Sequence, residues 1–366
     1  MAGVVTRIAR TVALFGVVAW SVVSLPLPAP PAQTAAPLRN PAASPTVVGT
    51  STATALAVAP TATAVTLTDP QAAMLRGTVH DTLHALPTAA PTATPAPAPT
   101  STSTPTPMTG GPLGSHRLVT WYGHPDSRLM GILGEFDDPR AMIANLKAQA
   151  AEYTAADPAH PAIPTIELIA SVASDSPGQD GLFLNPTRPE VLEQYVQMAQ
   201  DNDCLLLLDV QFGYDTLAHE MQRLLPYLKT GHVHLALDPE FHVKRGEVPG
   251  DVFGSLSAAE VTAAQKMLAD LVGEYHLPDK VLVVHQFRID MLPDKSAIKV
   301  MPHVQVAIMM DGFGGPEAKI GNYNAFIRDE PIQFGGIKLF YKQDKPLMSP
   351  KDIIALSPTP MVVSYQ

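Results

Sequence analysis

The stretch "HVHLALDPEFHV", His232 to Val243, holds three histidines, an Asp and a Glu around an apolar run. Two kinds of chemistry suit those residue types. Histidines and carboxylates together are metal ligands, whereas paired carboxylates with separated pKa values perform acid–base work. Spacing decides between them. On an extended strand, His234 and Asp238 lie roughly 13 Å apart at about 3.3 Å per residue. One ion with ligands about 2 Å away does not bridge that gap. His232 and His234 therefore belong to one end of the strand, with a packing or hydrogen-bonding role, and Asp238 and Glu240 to the other. A metal at the second end would draw on Asp238, Glu240, His242 and His285. The inward histidine pair of metal-dependent amidohydrolases is missing from "WYGHP" (121–125). The sequence thus calls for no metal ion and no other cofactor, and leaves carboxylate chemistry in front of metal-dependent hydrolysis.

A strand that carries chemistry at its tip needs a frame. Eight short apolar runs are present: 117–123, 165–174, 204–212, 232–241, 280–287, 304–314, 334–341 and 360–366. Helical patterns separate most of them, at 139–153, 189–201, 215–228, 257–275, 316–328 and 350–356, with a weak one at 291–300. "SAAE" (257–260) is a capping box ahead of the firmest helix. Strands alternating with helices make βαβ units and a parallel sheet. Eight units predict an α/β fold, a closed (β/α)8 TIM-type barrel with its eighth strand at the C-terminus. No glycine-rich phosphate fingerprint follows the first strand, which argues against an open dinucleotide-binding sheet.

Side-chain alternation then sorts each strand. Large aliphatic residues face the helices: Ile166, Leu168 and Ala170; Leu206 and Leu208; Val233, Leu235 and Leu237; Val306, Ile308 and Met310; Ile337 and Leu339. The opposite set points inward and is polar toward the strand ends, where active sites of such barrels lie. It includes Glu167 and Ser171, Asp209 and Gln211, Asp238 and Glu240, Asp311, and Lys338. Strands one, five and eight offer Tyr122, His285 or Gln286, and Ser364 or Tyr365. Asp209, Asp238 and Glu240 repel one another, so at least one has a raised pKa and suits a general acid. Asp311 and Lys338 sit on neighbouring strands at ion-pair distance. The candidate catalytic residues are Asp238, Glu240, Asp209 and Asp311. Tyr122, His285, Gln286, Lys338, Tyr341 and Phe241 are candidates for substrate contact, the aromatic ones by stacking on sugar faces.

The chain has 366 residues, 37 prolines, one cysteine and a net charge of −10. The acidic balance without a basic cluster argues against a nucleic-acid partner. Arg7 and Arg10 precede an apolar run from Thr11 to Leu25, and Ala29 and Ala32 follow it. Residues 1–32 read as a signal peptide or an uncleaved N-terminal anchor. Residues 33–114, rich in Pro, Thr and Ala, lack the apolar content to fold and read as a disordered stalk, interrupted by a short helical pattern at 71–86. The barrel domain is 115–366. Cys204 opens an apolar run and reads as a buried structural thiol. A secreted or cell-surface monomer is expected, with the membrane touched only through the N-terminal segment.

The barrel plan, the export signal and the "LALDPE" strand end resemble secreted (β/α)8 glycoside hydrolases. "DPEF", "VVHQF", "DGFGGPEAK" and "GGIKLFYKQD" look more like a group of uncharacterised secreted bacterial barrel proteins of that plan. The resemblance implies action on a cell-wall or extracellular polysaccharide, or on another small extracellular substrate, with the acid after strand four. A Trp on the last strand and a Glu after strand seven, used by several glycosidase families, are absent. That departure keeps open a non-catalytic, glycan-binding or envelope protein.

Overall fold

The computed structural model describes residues 110–366. The expected signal or anchor, the helical pattern at 71–86 and all but the last residues of the stalk lie outside the described residues. No described helix is long and apolar enough to cross a membrane.

The fold is a closed parallel barrel. Its strands are β1 (Arg117–His124), β3 (Ala162–Ala173), β5 (Leu205–Val210), β6 (Val233–Leu237), β7 (Lys280–Gln286), β8 (Val304–Met310), β9 (Phe334–Leu339) and β10 (Val362–Tyr365). Each pairs in parallel with the next. Pairing of β1 with both β10 and β3 closes the ring and leaves no barrel strand edge exposed. The helices are α1 (Pro139–Ala156), α2 (Pro189–Asp201), α3 (Leu217–Leu228), α4 (Ala258–Tyr275), α5 (Pro316–Tyr323) and α6 (Pro350–Ile354). The capping box at Ser257 and Glu260 is made. The helix read at 215–228 begins two residues later, because Thr216 serves as its N-cap. The helix read at 316–328 changes after Tyr323 into a π-turn over Asn324–Arg328. The weak pattern at 291–300 is not a helix; two 3-10 turns flank it or lie in it.

Two short strands were not legible in the sequence. β2 (Ser127–Gly131) and β4 (Leu184–Pro186) fold back antiparallel on the ends of β1 and β3 and build up that side of the mouth. The β1–β2 crossing needs glycine. A Cβ on Gly123 would stand 2.4 Å from the Met130 carbonyl oxygen, and Gly131 has φ 87°.

Alternation places the side chains as read, with one exception. Leu206, Leu208, Val233, Leu235, Leu237, Val306, Ile308, Ile337 and Leu339 join the helix-facing core. Leu118, Leu207, Ala236, Val283, Ala307 and Met309 form a separate apolar layer in the lower barrel. Ser171 is the exception. The register shifts between Ile169 and Ser171, and this bulge turns the Ser171 hydroxyl out to Glu220 and Arg223 on α3.

The base of the barrel is closed by the segment before β1. Leu113 is buried in the lower apolar layer, and its backbone N–H and C=O both pair with the Gln305 side-chain amide at 2.8 Å. The folded unit therefore reaches back past Ser115. His234 packs near this end: its Nδ1 accepts from the Val281 N–H, and burial holds its pKa well below the ordinary range. His232 donates to the Val196 carbonyl. Both histidines thus have the packing role expected of them. Lys280 is buried beside them, donating to the carbonyls of Thr230 (2.5 Å) and Val233 (2.8 Å). Cys204 is a buried free thiol, its pKa pushed by burial to about 11.

Two stability outcomes follow. Leu113→Ala should cost about 2–5 kcal/mol, the range for emptying a buried leucine site, read by urea unfolding. Burial lowers the Lys280 pKa to about 7. The unfolded chain therefore holds more protons than the folded one from about pH 7 to about pH 10. Relative to a Lys280→Met variant, the parent should gain up to about 1.4 kcal/mol per pH unit across that window. A flat difference between parent and variant would show that Lys280 is not neutralised by folding.

Candidate active site

The inward residues of the upper barrel form one connected network. His285, in β7, is its hub. Nδ1 donates to Asp311 Oδ2 at 2.7 Å, and Nε2 donates to Glu167 Oε1 at 3.0 Å, with Asp209 Oδ1 at 3.8 Å. A ring that donates from both nitrogens to two carboxylates is an imidazolium. Its pKa stands well above the ordinary histidine value: burial and Lys338 oppose the charge, but the bonds to Asp311 and Glu167 outweigh them. Asp311 also accepts from Lys338 Nζ at 3.0 Å, the ion pair anticipated between neighbouring strands. Lys338 lies over the Tyr122 ring, 3.6 Å from its centroid.

Glu167 was read as inward but given no role, and it is the central acid of the network. Its second oxygen, Oε2, accepts from Thr120 (2.9 Å) and Ser364 (2.6 Å). Burial alone would raise its pKa, yet His285, Lys338 and Ser364 bring it below the usual value. The sequence signal was available: a carboxylate in the middle of a strand, flanked by helix-facing Ile166 and Leu168. Gln211 was also read as inward. It donates to the Tyr122 hydroxyl at 3.2 Å and accepts from the Ala173 N–H at 2.9 Å.

The three mutually repelling carboxylates behave as anticipated. Asp209 is fully buried, and its pKa rises well above the ordinary value through burial, then through Asp238 and Glu167 against His285. Burial also raises Asp238, with Asp311 adding to it. Glu240 rises well above its usual value through burial, then through Asp238 and Asp311. Asp311 goes the other way: Lys338 and His285 overcome its burial and hold it low. Two anions, Glu167 and Asp311, thus face two cations, His285 and Lys338. The three remaining carboxyls are those that favour the proton.

Access differs among them. Asp238 ends β6, is 2 % exposed, and accepts from the Glu240 N–H at 3.1 Å. Glu240 sits one step out, on the 3-10 turn Pro239–Phe241, and is half-buried. Its carboxyl accepts no hydrogen bond from the described residues, so its proton is available to a ligand at the mouth. Phe241 follows on the same turn and is partly exposed.

Two expectations need correction, and two open alternatives are decided. Gln286 does not face the site: alternation with inward His285 turns it to the outer side, in register with Met310 of the helix-facing core. Its side chain donates to the Arg288 carbonyl. Tyr341 is not at the mouth. Its ring stacks on Tyr365 at 5.2 Å and its hydroxyl pairs with Gln149 on α1, outside the barrel wall. Tyr365 is outward for the same reason, with its hydroxyl on Tyr153, and Ser364 is the inward residue of β10. The metal set drawn from Asp238, Glu240, His242 and His285 does not assemble. The His242 Nδ1 donates to the Ser255 carbonyl at 2.9 Å, and its ring packs on Phe212.

Lys338→Met tests the network. It leaves Asp311 buried with one cation instead of two, and removing one partner of a buried pair typically costs about 3–5 kcal/mol. Chemical denaturation should show a loss of that size; a loss under about 1 kcal/mol would mean the pair behaves as a surface ion pair.

No protein-family model matches the chain, and no curated protein does. Among solved structures, a ruminal GH26 endo-β-1,4-mannanase is similar with a TM-score of 0.35 and 11 % identity, over 69 % of this chain. The chain spans 59 % of that mannanase's length. A D-psicose 3-epimerase, solved in the presence of D-fructose, gives 0.34 and 11 % over 68 % of this chain and 84 % of its own. A hyperthermophilic endo-β-1,4-glucanase in complex with substrate gives 0.29 and 7 %, over 55 % and 76 %. The barrel plan of this chain is established by its own strand pairing.

Proposed function

We propose that the chain is an exported glycoside-hydrolase-like barrel that acts on a cell-wall or extracellular polysaccharide by carboxylate acid–base chemistry. Glu240 is the general acid and Asp311 its ionised partner, as base or nucleophile. The reading rests on one feature: two carboxyl groups just past the C-terminal ends of barrel strands are driven in opposite directions, Glu240 upward and Asp311 downward. Glu240 keeps its proton because burial and the neighbouring acids disfavour its charge. Asp311 loses its proton because Lys338 and His285 hold it. Pairs split in this way separate the acid from the base at one pH.

The remaining residues take supporting parts. Asp238 accepts from the Glu240 N–H and keeps the Glu240 turn in place. Tyr122 and Lys338 wall the site and orient a hydroxyl-rich ligand. Export rests on the basic and apolar segments of residues 1–32 alone. The depth of burial of Asp209, Asp238 and Lys338 favours a second reading, a glycan-binding surface protein without turnover. Release of reducing ends from a polysaccharide panel separates the two, since binding alone releases none.

Glu240→Gln should lower turnover by about 10²–10⁴-fold, the usual contribution of a general acid. The parent's rate should fall as pH rises through the raised Glu240 pKa, and that alkaline limb should disappear in the variant. A carboxyl whose folded pKa is raised stabilises below its unfolded pKa and loses that stabilisation as pH rises through the folded value. Glu240→Gln should therefore be at least as stable as the parent at neutral pH by thermal unfolding. An active Glu240→Gln enzyme with an unchanged pH profile would remove Glu240 from the chemistry.

A further inference from the structure

On the opposite side of His285 from Asp311, three donor atoms converge, and two of them, on Glu167 and Asp209, have no part in the acid–base reading. They are Glu167 Oε1, Asp209 Oδ1 and His285 Nε2, all within 4.8 Å of one another and fully buried. Among the described residues Asp209 Oδ1 has no hydrogen-bond partner; His285 Nε2 is 3.8 Å away. An unpartnered carboxylate oxygen at 0 % exposure is costly unless something else satisfies it.

We propose that these three atoms form a binding site for one divalent first-row cation. The spacing suits it. Two donors about 2.1 Å from one ion stand about 3.0 Å apart at a right angle and about 3.4 Å apart at a tetrahedral angle. His285 Nε2 lies 3.0 Å from Glu167 Oε1 and 3.8 Å from Asp209 Oδ1. Small side-chain rotations bring all three onto one ion; the His285 Nε2 proton and the proton that Asp209 favours leave to solvent as the ion enters, His285 stays neutral with its Nδ1–H on Asp311, and the His285–Glu167 hydrogen bond is exchanged for two ligand bonds.

Each donor is also held from behind. His285 Nδ1 is bonded to Asp311, Glu167 Oε2 to Thr120 and Ser364, and Asp209 Oδ2 to the Tyr122 hydroxyl at 3.4 Å. Orienting partners of this kind aim ligands in metal sites, the carboxylate behind a ligating histidine above all. Two carboxylates and an imidazole suit Mn²⁺ or Zn²⁺ better than a soft cation. The nearby Lys338 ammonium opposes the ion's charge, but it is engaged with Asp311 and the Tyr122 ring. The second cluster with metal-like composition, Asp215, His219 and Glu220, differs. Its Glu220 is occupied by Arg223 and Ser171, and His219 is exposed.

The test uses the full chain, dialysed against a chelator and titrated with Mn²⁺, with free ion read by electron paramagnetic resonance. One Mn²⁺ per chain is expected. In the parent, bound Mn²⁺ should broaden the His285 ring resonances beyond detection and leave those of His219. Asp209→Asn should weaken binding by at least about tenfold, and Asp311→Asn, which acts through His285, by about 10–100-fold. Asp215→Asn should bind as the parent does. Circular dichroism melting confirms that the variants fold, and the resonance experiment needs no variant. Glu240→Gln should bind Mn²⁺ as the parent does, so loss of turnover and loss of the ion are separate results. Absence of a saturable site, unchanged affinity in folded Asp209→Asn, or broadening of His219 in place of His285 would overturn the proposal.

Discussion

His285 is the interaction on which the upper barrel depends. One imidazole bridges Glu167 on β3 and Asp311 after β8, across the width of the barrel. Without it, five carboxyl groups in the upper barrel would face a single lysine. Burying that excess charge is far more costly than a hydrogen bond recovers. With it, two anions meet two cations, and three carboxyls are left to hold protons. The apolar lower layer and the polar upper layer of the same barrel are thus two solutions to burial, one by exclusion of charge and one by pairing it.

This constraint explains why the mouth is asymmetric. Groups hydrogen-bonded to His285 are pulled toward ionisation, and groups for which burial and neighbouring acids outweigh its attraction are pushed toward neutrality. Glu240 is the outermost of the second kind, and Asp311 is the member of the first kind nearest the mouth. Their separation is a consequence of one histidine and one lysine, placed on strands between and beside the acids. The loops reinforce it. Lys319, buried on α5, pairs with Asp344 at 3.0 Å and donates to the Gly312 and Lys338 carbonyls, so the backbone beside Asp311 is tied to the backbone of its partner Lys338.

Much of this was readable before folding. The eight strands, the order of helices, the helix-facing aliphatic rows and the division of His232–Val243 into two ends all follow from period-two and period-3.6 patterns. Asp311 with Lys338, and the mutual repulsion of Asp209, Asp238 and Glu240, follow from adjacency of successive strands. The errors arose where that regularity stops. Ser171 is turned by a bulge that no composition marks. Tyr341 lies past the end of β9, where strand parity no longer specifies direction. Gln286 falls in the run "VVHQ", where both parities offer a polar side chain, and "VVSY" left Ser364 and Tyr365 both open for the same reason.

The sequence by itself determined the barrel, its polar end and the residues that enter it, because alternation along a strand is a local property of the chain. Only the tertiary structure decided which of those residues meet. Glu167 and His285 are 118 positions apart, and Ser364 lies 197 beyond Glu167, yet both bond to the Glu167 carboxylate. Ring closure and strand stagger bring them together, and both depend on pairings between distant segments. Direction of titration was decided there too, since a carboxyl's pKa answers to its neighbours in space and not to its neighbours in sequence.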